Sequence, residues 1–178
     1  MLRYPLVGID PRTAKHISER GGKPMNLYRV LGNQPSLLHA WIDFASALRY
    51  QCGTPRALRE LLILRISQLC HSSYQWEQHL SQARKAGVPE DQINALELWT
   101  TSSLFTPRER AALAITEAIV TCSVDDATHA DAASFFNSAE MIELVMTASF
   151  YSMVSRVLDA TSVTSDGEAD IGGRGTLV

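Results

Sequence analysis

Glu60 and His79 are the two residues of this chain whose types best suit proton transfer. Leucine and isoleucine surround Glu60 in the sequence, so a helix there would be apolar on most of its sides. A carboxylate on such a helix must be paired or have a raised pKa, and either condition suits acid–base chemistry. His79 is the natural second member, because the ordinary pKa of histidine lies near neutrality. The alternative for Glu60 is a structural ion pair with Arg56, Arg59 or Arg65.

Four residues shortly before His79 are further candidates for the same site. Ser72 and Gln75 have the spacing of a capping box, in which the Ser72 hydroxyl accepts from the Gln75 backbone N–H and the Gln75 side chain reaches back. Such a cap would place His79 about two turns inside a helix. Tyr74 can donate a hydrogen bond, but a phenol with an ordinary pKa near 10 is a poor base, and packing between helices explains it equally well. Trp76 is expected in a pocket wall or in the core.

Two helices are predicted to bring Glu60 and His79 together. The first should cover about residues 55–69, with Thr54 as its N-cap and a proline at its first position. The second should cover about residues 73–86. Because only about three residues join them, we expect an antiparallel hairpin with both side chains at one pocket.

The whole chain is predicted to be all-α, a single-domain helical bundle of about seven or eight helices, because no period-two alternation persists. Residues 1–24 contain several prolines and glycines and are predicted to form an N-terminal arm rather than a helix, with one helical turn at about residues 15–20. Residues 25–160 should form the helical domain. Residues 161–178 are rich in glycine, serine and aspartate, and are predicted to be a flexible tail.

Composition and charge give no reason to expect a nucleic-acid partner, a metal site or a membrane span. The 178 residues are 46% hydrophobic and 20% charged, with a net charge of −3, which gives no electrostatic reason to expect a nucleic-acid partner. The three cysteines are far apart, and neither a disulfide framework nor metal-ligand spacing is visible, so no metal and no cofactor are predicted. No run approaches the roughly 20 apolar residues of a membrane span. A cytoplasmic protein without a membrane partner is the expectation.

Several segments carry a resemblance to a known family. They are Arg59-Glu60-Leu61, the stretch from Tyr74 to His79, Ala86-Gly87-Val88, Pro107–Ala114, Thr116-Glu117-Ala118, and Ile142-Glu143-Leu144 followed by Tyr151 and Arg156. Together they resemble the carboxymuconolactone decarboxylase family, which includes the alkylhydroperoxidase D-like proteins. The resemblance implies the helical bundle of that family over roughly residues 25–160. It also implies a site at Glu60 and His79, with Arg156 as a candidate to bind a substrate carboxylate. The alternative for Arg156, and the favoured one, is an ion pair at the surface or between subunits.

The family's peroxidase branch has a Cys-x-x-Cys pair, with a histidine four residues after the second cysteine. Those two positions correspond here to Ser72 and Gln75, and Cys70 lies two residues too early. A Cys-x-x-Cys lowers the pKa of the attacking thiol and supplies a resolving thiol. Ser72 and Gln75 can do neither. This chain therefore has the acid–base residues of the family pattern but lacks its redox pair.

Three functions therefore compete. The favoured one is non-redox acid–base chemistry, such as decarboxylation, on a small and anionic carboxylated or lactone substrate, with Glu60, His79 and Tyr74 as catalytic residues. Ser72, Gln75, Trp76 and Arg156 would then bind the substrate. The alternatives are thiol-dependent hydroperoxide reduction and a non-catalytic scaffold. Family members commonly form dimers, trimers or hexamers. The last helix is apolar on more than one side, so a homo-oligomer is also predicted.

Overall fold

The computed structural model describes residues 2–164, and within that range it is all-α, as predicted. There are nine α-helices in this part of the chain, one more than the upper end of the expected number. A short 3-10 turn, Leu96–Leu98, follows the sixth. The helices are α1 (Pro11–Glu19), α2 (Asn26–Leu31), α3 (Pro35–Tyr50), α4 (Arg56–Leu69), α5 (Ser73–Lys85), α6 (Glu90–Ala95), α7 (Pro107–Val120), α8 (Asp126–Phe135) and α9 (Ser138–Thr161).

The chain divides into two compact units. Among the described residues, the first comprises 2–42 and 161–164. Helix α1 lies in this unit, inside the stretch predicted to be an arm. Asp10 caps it by accepting hydrogen bonds from the backbone N–H groups of Arg12 and Thr13, and Pro11 occupies a first-turn position where its missing N–H costs nothing. Pro11 therefore lies at the start of a helix here, whereas the prolines of this stretch were expected to prevent one. The predicted tail lies outside the described residues beyond Thr164.

The second unit, Asp43–Ala160, holds the site. Its core is a cluster of buried aliphatic and aromatic side chains contributed mainly by α4, α7 and the start of α9. Helix α4 packs against both α5 and α7, and α7 packs against α8. Helix α4 is therefore central, and most of its side chains are buried, including the charged Arg59 and Glu60.

The predicted α4–α5 hairpin is confirmed. Its three-residue turn is a Schellman motif, in which the N–H of Ser72 donates to the Ser67 carbonyl and the N–H of His71 donates to that of Gln68. His71 has a φ of 52°, the left-handed conformation that this turn requires. The end of α5 repeats the motif with Gly87, whose φ is 89°. The predicted N-cap of α4 is wrong: Pro55, not Thr54, holds that position, and it has no side chain that can cap.

The Ser72 cap is confirmed in part. The Ser72 hydroxyl accepts from the Gln75 N–H at 3.4 Å, so α5 begins where expected. The reciprocal half of the predicted capping box is absent, because the Gln75 side chain turns inward to α9 and accepts from the Ser155 hydroxyl at 3.2 Å. A complete capping box occurs instead at the start of α7, between Thr106 and Glu109.

Helix α9 is long and hydrophobic. By length and composition it is the one helix of the described residues that could cross a membrane, although 56% of its most apolar window is buried in the protein, as in the core helix of a globular domain. This helix departs from the expectation that no run approaches the length of a membrane span. Ile142, Met146 and Met153 are exposed on the helix. The homo-oligomer proposed from its apolar character stays a prediction.

Glu143 ties α9 to the loop before α4. Its two carboxylate oxygens accept from the backbone N–H groups of Gly53 and Thr54, at 2.7 and 2.8 Å. Burial raises the pKa of Glu143, but these bonds and the charge of Arg59 outweigh it, so the pKa lies below its ordinary value. The loop that leads into the first turn of α4 is therefore held by an ionised side chain.

We expect Glu143→Ala to lower the free energy of unfolding by about 2 kcal/mol, because two charge-assisted hydrogen bonds to the loop are lost. Urea denaturation at neutral pH measures this. Glu97→Ala, at an exposed position, is the control and should change stability little. Equal effects of the two substitutions would show that Glu143 does not hold the loop.

Candidate active site

The centre of the site is a hydrogen bond between Glu60 and His79. Glu60 Oε2 lies 2.8 Å from His79 Nδ1 across the α4–α5 hairpin. Glu60 is fully buried, and the His79 side chain keeps 10% of its surface exposed. Because Nδ1 is engaged by the carboxylate, Nε2 is the ring nitrogen left for exchange of protons with a bound molecule. The predicted meeting of these two residues is confirmed as geometry.

Arg56 completes the pairing of the carboxylate. It lies one helical turn before Glu60 on α4, and its guanidinium forms an ion pair with Glu60 Oε1. Burial raises the pKa of Glu60, but the hydrogen bond to His79 and the charges of His79 and Arg56 together outweigh it. The pKa of Glu60 therefore lies below its ordinary value, and the carboxylate is ionised at neutral pH.

The other two arginines considered for Glu60 have different partners. Arg59 donates to the carbonyl and hydroxyl of Thr54 and to the carbonyl of Arg49. Arg65 pairs with Glu117 at 2.6 Å. Arg59 is buried, with 5% of its surface exposed. Its donors meet backbone carbonyls and a hydroxyl, and its charge is close enough to Glu143 to lower the pKa of that carboxyl.

Tyr151 covers the His79 ring. The two rings meet edge to face with centroids 4.9 Å apart, and Phe150 and Phe44 continue the aromatic packing behind Tyr151. Burial raises the pKa of Tyr151, and the charge of Glu60 adds to this effect, while Arg49 and Arg56 oppose it. The phenol is therefore protonated at neutral pH and is a donor.

A small recess opens beside the pair. Its space is about 190 Å³ when the open solvent it includes is counted, and its enclosed part has room for about one water molecule. Its lining is strongly basic and is completed by two hydroxyl groups from α9 and two aliphatic side chains. The lining residues are Leu48, Arg49, Arg56, Arg59, Ile63, Thr147 and Tyr151. Arg56 contacts Glu60, and Tyr151 contacts His79, so both members of the pair are one side chain away from the recess.

The remaining candidates have mainly structural positions. Ser72 caps α5, Gln75 bonds to α9, and Trp76 is half-buried against the core. Tyr74 is buried in the first turn of α5. Arg156 is exposed and does not line the recess, so the arginines that do line it replace it as candidate carboxylate ligands.

A four-residue periodicity on α9 is the signal that sequence reasoning missed. Glu143, Thr147, Tyr151 and Ser155 recur at intervals of four and share one face of an otherwise apolar helix. Glu143 bonds the loop before α4, Thr147 and Tyr151 line the recess, and Ser155 bonds Gln75. A polar stripe on an apolar helix marks the face that meets a polar site.

The three cysteines have free thiols. Cys70 is the C-cap residue of α4 and is half-buried. Cys52 is likewise half-buried, and Cys122 is exposed. The expectation that none of the three pairs with another is confirmed.

Comparison with known proteins shows what this chain is similar to. Residues 35–118 match the model for the Carboxymuconolactone decarboxylase family. An uncharacterized protein of Bacillus subtilis (strain 168), YdfG, is 36% identical over 69 residues. That match covers 39% of this chain and 47% of the relative, so the chain spans about half the length of the curated relative it matches.

Two solved structures share the fold. The alkylhydroperoxidase AhpD core of an uncharacterized peroxidase-related protein from Ralstonia eutropha JMP134 superposes with a TM-score of 0.79 at 16% identity, over 93% of each chain. A variant of the debrominase Bmp8 in complex with 2,3,4-tribromopyrrole gives a TM-score of 0.78 at 18% identity, over 94% of this chain and 95% of that one. At sequence identities this low, the similarity shows a shared fold alone.

The family match spans α4 and α5, and thus both Glu60 and His79. The predicted resemblance is supported: residues 35–118 match the model of the carboxymuconolactone decarboxylase family, and the described residues have the all-α fold of the alkylhydroperoxidase D-like proteins.

Proposed function

We propose that this chain catalyses non-redox acid–base chemistry, such as decarboxylation, on a small carboxylated or lactone substrate. The observation that carries the proposal is the buried hydrogen bond between Glu60 and His79, with the Glu60 carboxylate ionised. A carboxylate bonded to one imidazole nitrogen orients the ring and stabilises its protonated form, so the other nitrogen can give or take a proton.

In a decarboxylation, the C–C bond to the departing carboxylate breaks and CO₂ leaves. A conjugated carbonyl of the substrate takes up the electron pair. His79 Nε2 then delivers a proton to the carbon, and water restores the proton of His79. Glu60 stabilises the imidazolium before the transfer, and the arginine-lined recess beside the pair holds negative charge of the substrate.

Thiol-dependent hydroperoxide reduction has less support. That chemistry needs an attacking and a resolving thiol, and this chain has Ser72 and Gln75 at the two positions. The Ser72 hydroxyl is engaged as a helix cap, and the Gln75 side chain bonds to α9. Cys70 lies near these positions, but it has no second cysteine in disulfide contact.

Loss of either member of the pair should abolish turnover. A screen of small carboxylic acids and lactones for CO₂ release or for ultraviolet change would supply the substrate. Glu60→Gln and His79→Asn should then each lower kcat by about 100-fold or more, because each removes part of one proton-transfer unit. Glu97→Gln, at an exposed glutamate, is the control. Turnover by both site variants at the rate of the natural protein would contradict the proposal.

The ionised state of Glu60 predicts a pH dependence of stability. Its pKa in the folded protein lies below the ordinary value of 4.5, so the ionised pair stabilises the fold fully above that value and progressively less as the pH falls below it. At neutral pH, Glu60→Gln should lower the free energy of unfolding by about 2–4 kcal/mol. The difference from the natural protein should shrink below pH 4.5 in urea titrations. A difference that grows as the pH falls would mean that the carboxyl is protonated in the folded state.

Cys70 should be dispensable. We expect Cys70→Ser to leave both the acid–base turnover and the consumption of peroxide unchanged, because no partner thiol completes a redox pair. Cys122→Ser, at an exposed cysteine, is the matched control. A large and selective loss of peroxide-reducing turnover in the Cys70 variant would favour the peroxidase function instead.

A further inference from the structure

Gln75 holds a buried amide with one end paired and the other end unpaired. It lies in the first turn of α5, and 1% of its surface is exposed. Its Oε1 accepts from the Ser155 hydroxyl of α9 at 3.2 Å, which fixes the orientation of the amide. Its Nε2 is buried and has no hydrogen-bond partner among the described residues. An unpaired buried donor destabilises a fold, so this N–H group calls for a functional explanation.

The unpaired amide nitrogen belongs to the same face of α5 as His79. The two residues are four apart in the helix, so their side chains are neighbours. Helix α9 meets them in a matching register. Its Ser155 contacts Gln75, and its Tyr151, four residues earlier, contacts the His79 ring. Since Glu60 holds Nδ1 of His79, Nε2 lies on the side of the ring away from that carboxylate. A donor and a proton-exchanging nitrogen are therefore neighbours where α5 faces α9.

The proposed decarboxylation needs a donor that the Glu60–His79 pair does not supply. When the C–C bond breaks, its electron pair moves to the carbonyl oxygen of the substrate and forms an enolate. His79 must deliver its proton to carbon, and the Glu60 carboxylate can only accept. The enolate oxygen therefore needs a further donor, one that keeps its own proton. A carboxamide N–H group meets this requirement.

We propose that Gln75 is a catalytic residue whose Nε2 donates to the carbonyl oxygen of the substrate. As the C–C bond breaks and CO₂ leaves, the electron pair moves to that oxygen, and the amide N–H stabilises the enolate. The pair returns as the C=O bond re-forms, and His79 Nε2 transfers its proton to the carbon. Gln75 neither gains nor loses a proton. Ser155 is a positioning residue, because its hydroxyl holds the other end of the amide.

This role also narrows the class of substrate. A carbonyl oxygen can receive the electron pair directly when the departing carboxylate is β to that carbonyl. The substrate is then a small acid with its carboxylate β to a ketone, ester or lactone carbonyl. This inference rests on the proposed function, whereas the ability of Gln75 to bind an oxyanion does not.

A catalytic amide predicts a loss in kcat rather than a rise in KM. With a substrate from the screen, Gln75→Met should lower kcat about 100-fold and change KM by less than about threefold, because the bond strengthens as the oxygen gains charge. Gln75→Glu has the same shape but no N–H group, and it should lose at least as much. Gln82→Met, at an exposed glutamine of the same helix, is the control. Unchanged kcat in Gln75→Met, or activity retained in Gln75→Glu, would overturn the assignment.

Ser155 tests whether the orientation of the amide matters. Ser155→Ala should lower kcat about tenfold, because the amide can then turn its oxygen toward the substrate, and Ser155→Thr should keep most of the activity. Ser152→Ala is the matched control: its hydroxyl is also buried on α9, but it donates to the Ala148 carbonyl of its own helix. Equal losses in Ser155→Ala and Ser152→Ala would contradict the positioning role.

Stability separates catalysis from a merely structural role of Gln75. The melting temperature of Gln75→Met should stay close to that of the natural protein, because methionine is of similar size and an unpaired buried donor is removed. The released Ser155 hydroxyl can donate to a carbonyl of its own helix. A fall in melting temperature that parallels the loss of kcat across the Gln75 and Ser155 variants would show that the amide only holds α5 to α9.

An oxyanion probe tests the donor without the unknown substrate. The anion of 4-nitrophenol resembles an enolate, and its absorbance reports binding in a spectrophotometric titration above the pKa of the probe. Gln75→Met should bind this anion about tenfold more weakly than the natural protein, because a hydrogen bond to a charged oxygen is lost, and Gln82→Met should bind it unchanged. Absence of binding to the natural protein, or equal binding to Gln75→Met, would overturn the donor.

The two measurements together distinguish this inference from the proposed function. Probe binding that depends on Gln75, without turnover of any screened acid, would leave the donor standing and remove the proposed function. Turnover that depends on His79 but is as fast in Gln75→Met as in the natural protein would remove the donor and leave the proposed function standing.

Discussion

The fully buried carboxylate of Glu60 is the constraint on which the rest of the site depends. An ionised carboxylate without partners in a protein interior would destabilise the fold by more free energy than the net stability of a domain. Both of its oxygens must therefore have partners. Arg56 engages one from a turn away on the same helix, and His79 engages the other from across the hairpin. The bond to His79 joins α4 to α5, and the ion pair brings a cation to the edge of the recess. Pairing a buried charge thus also builds a site.

Helix α9 supplies the opposite wall through its stripe of polar residues. Its first member, Glu143, holds the loop before α4, so the first turn of α4, with Arg56, starts from a fixed place. Its last member, Ser155, bonds Gln75 on α5. Between them, Thr147 and Tyr151 meet the recess and the His79 ring. One helix face therefore positions both halves of the hairpin and lines the space between its charged groups. This explains why polar side chains are kept on a helix that is otherwise core.

The hairpin could be predicted from sequence because its signals are local. The cap at Ser72, the short turn and the apolar run around Glu60 together fix two helices and the meeting of Glu60 with His79. The recess could not be predicted from the sequence, because it depends on which faces of α3, α4 and α9 meet. Nothing in the sequence distinguishes Arg49, and the sequence predicts Arg59 only as a possible partner of Glu60; only the packing shows that Arg59 is buried against backbone carbonyls. The resemblance alone indicates Arg156 as a substrate ligand, and this residue is exposed. The polar residues spaced by four on α9 are visible in the sequence, but the apolar residues around them are typical of any core helix.

Glu60 is ionised in the folded protein and is held in that form by His79 and Arg56. Carbon-13 NMR of the side-chain carboxyl, assigned with Glu60→Gln and followed against pH, measures this state directly. We expect Glu60 to titrate below its ordinary value of 4.5, because its two partners outweigh the effect of burial on its pKa. A carboxyl that titrates above that value would mean that Glu60 is not held in its ionised form. Burial would then dominate, Glu60 would be a neutral donor, and the pair could not stabilise a protonated His79.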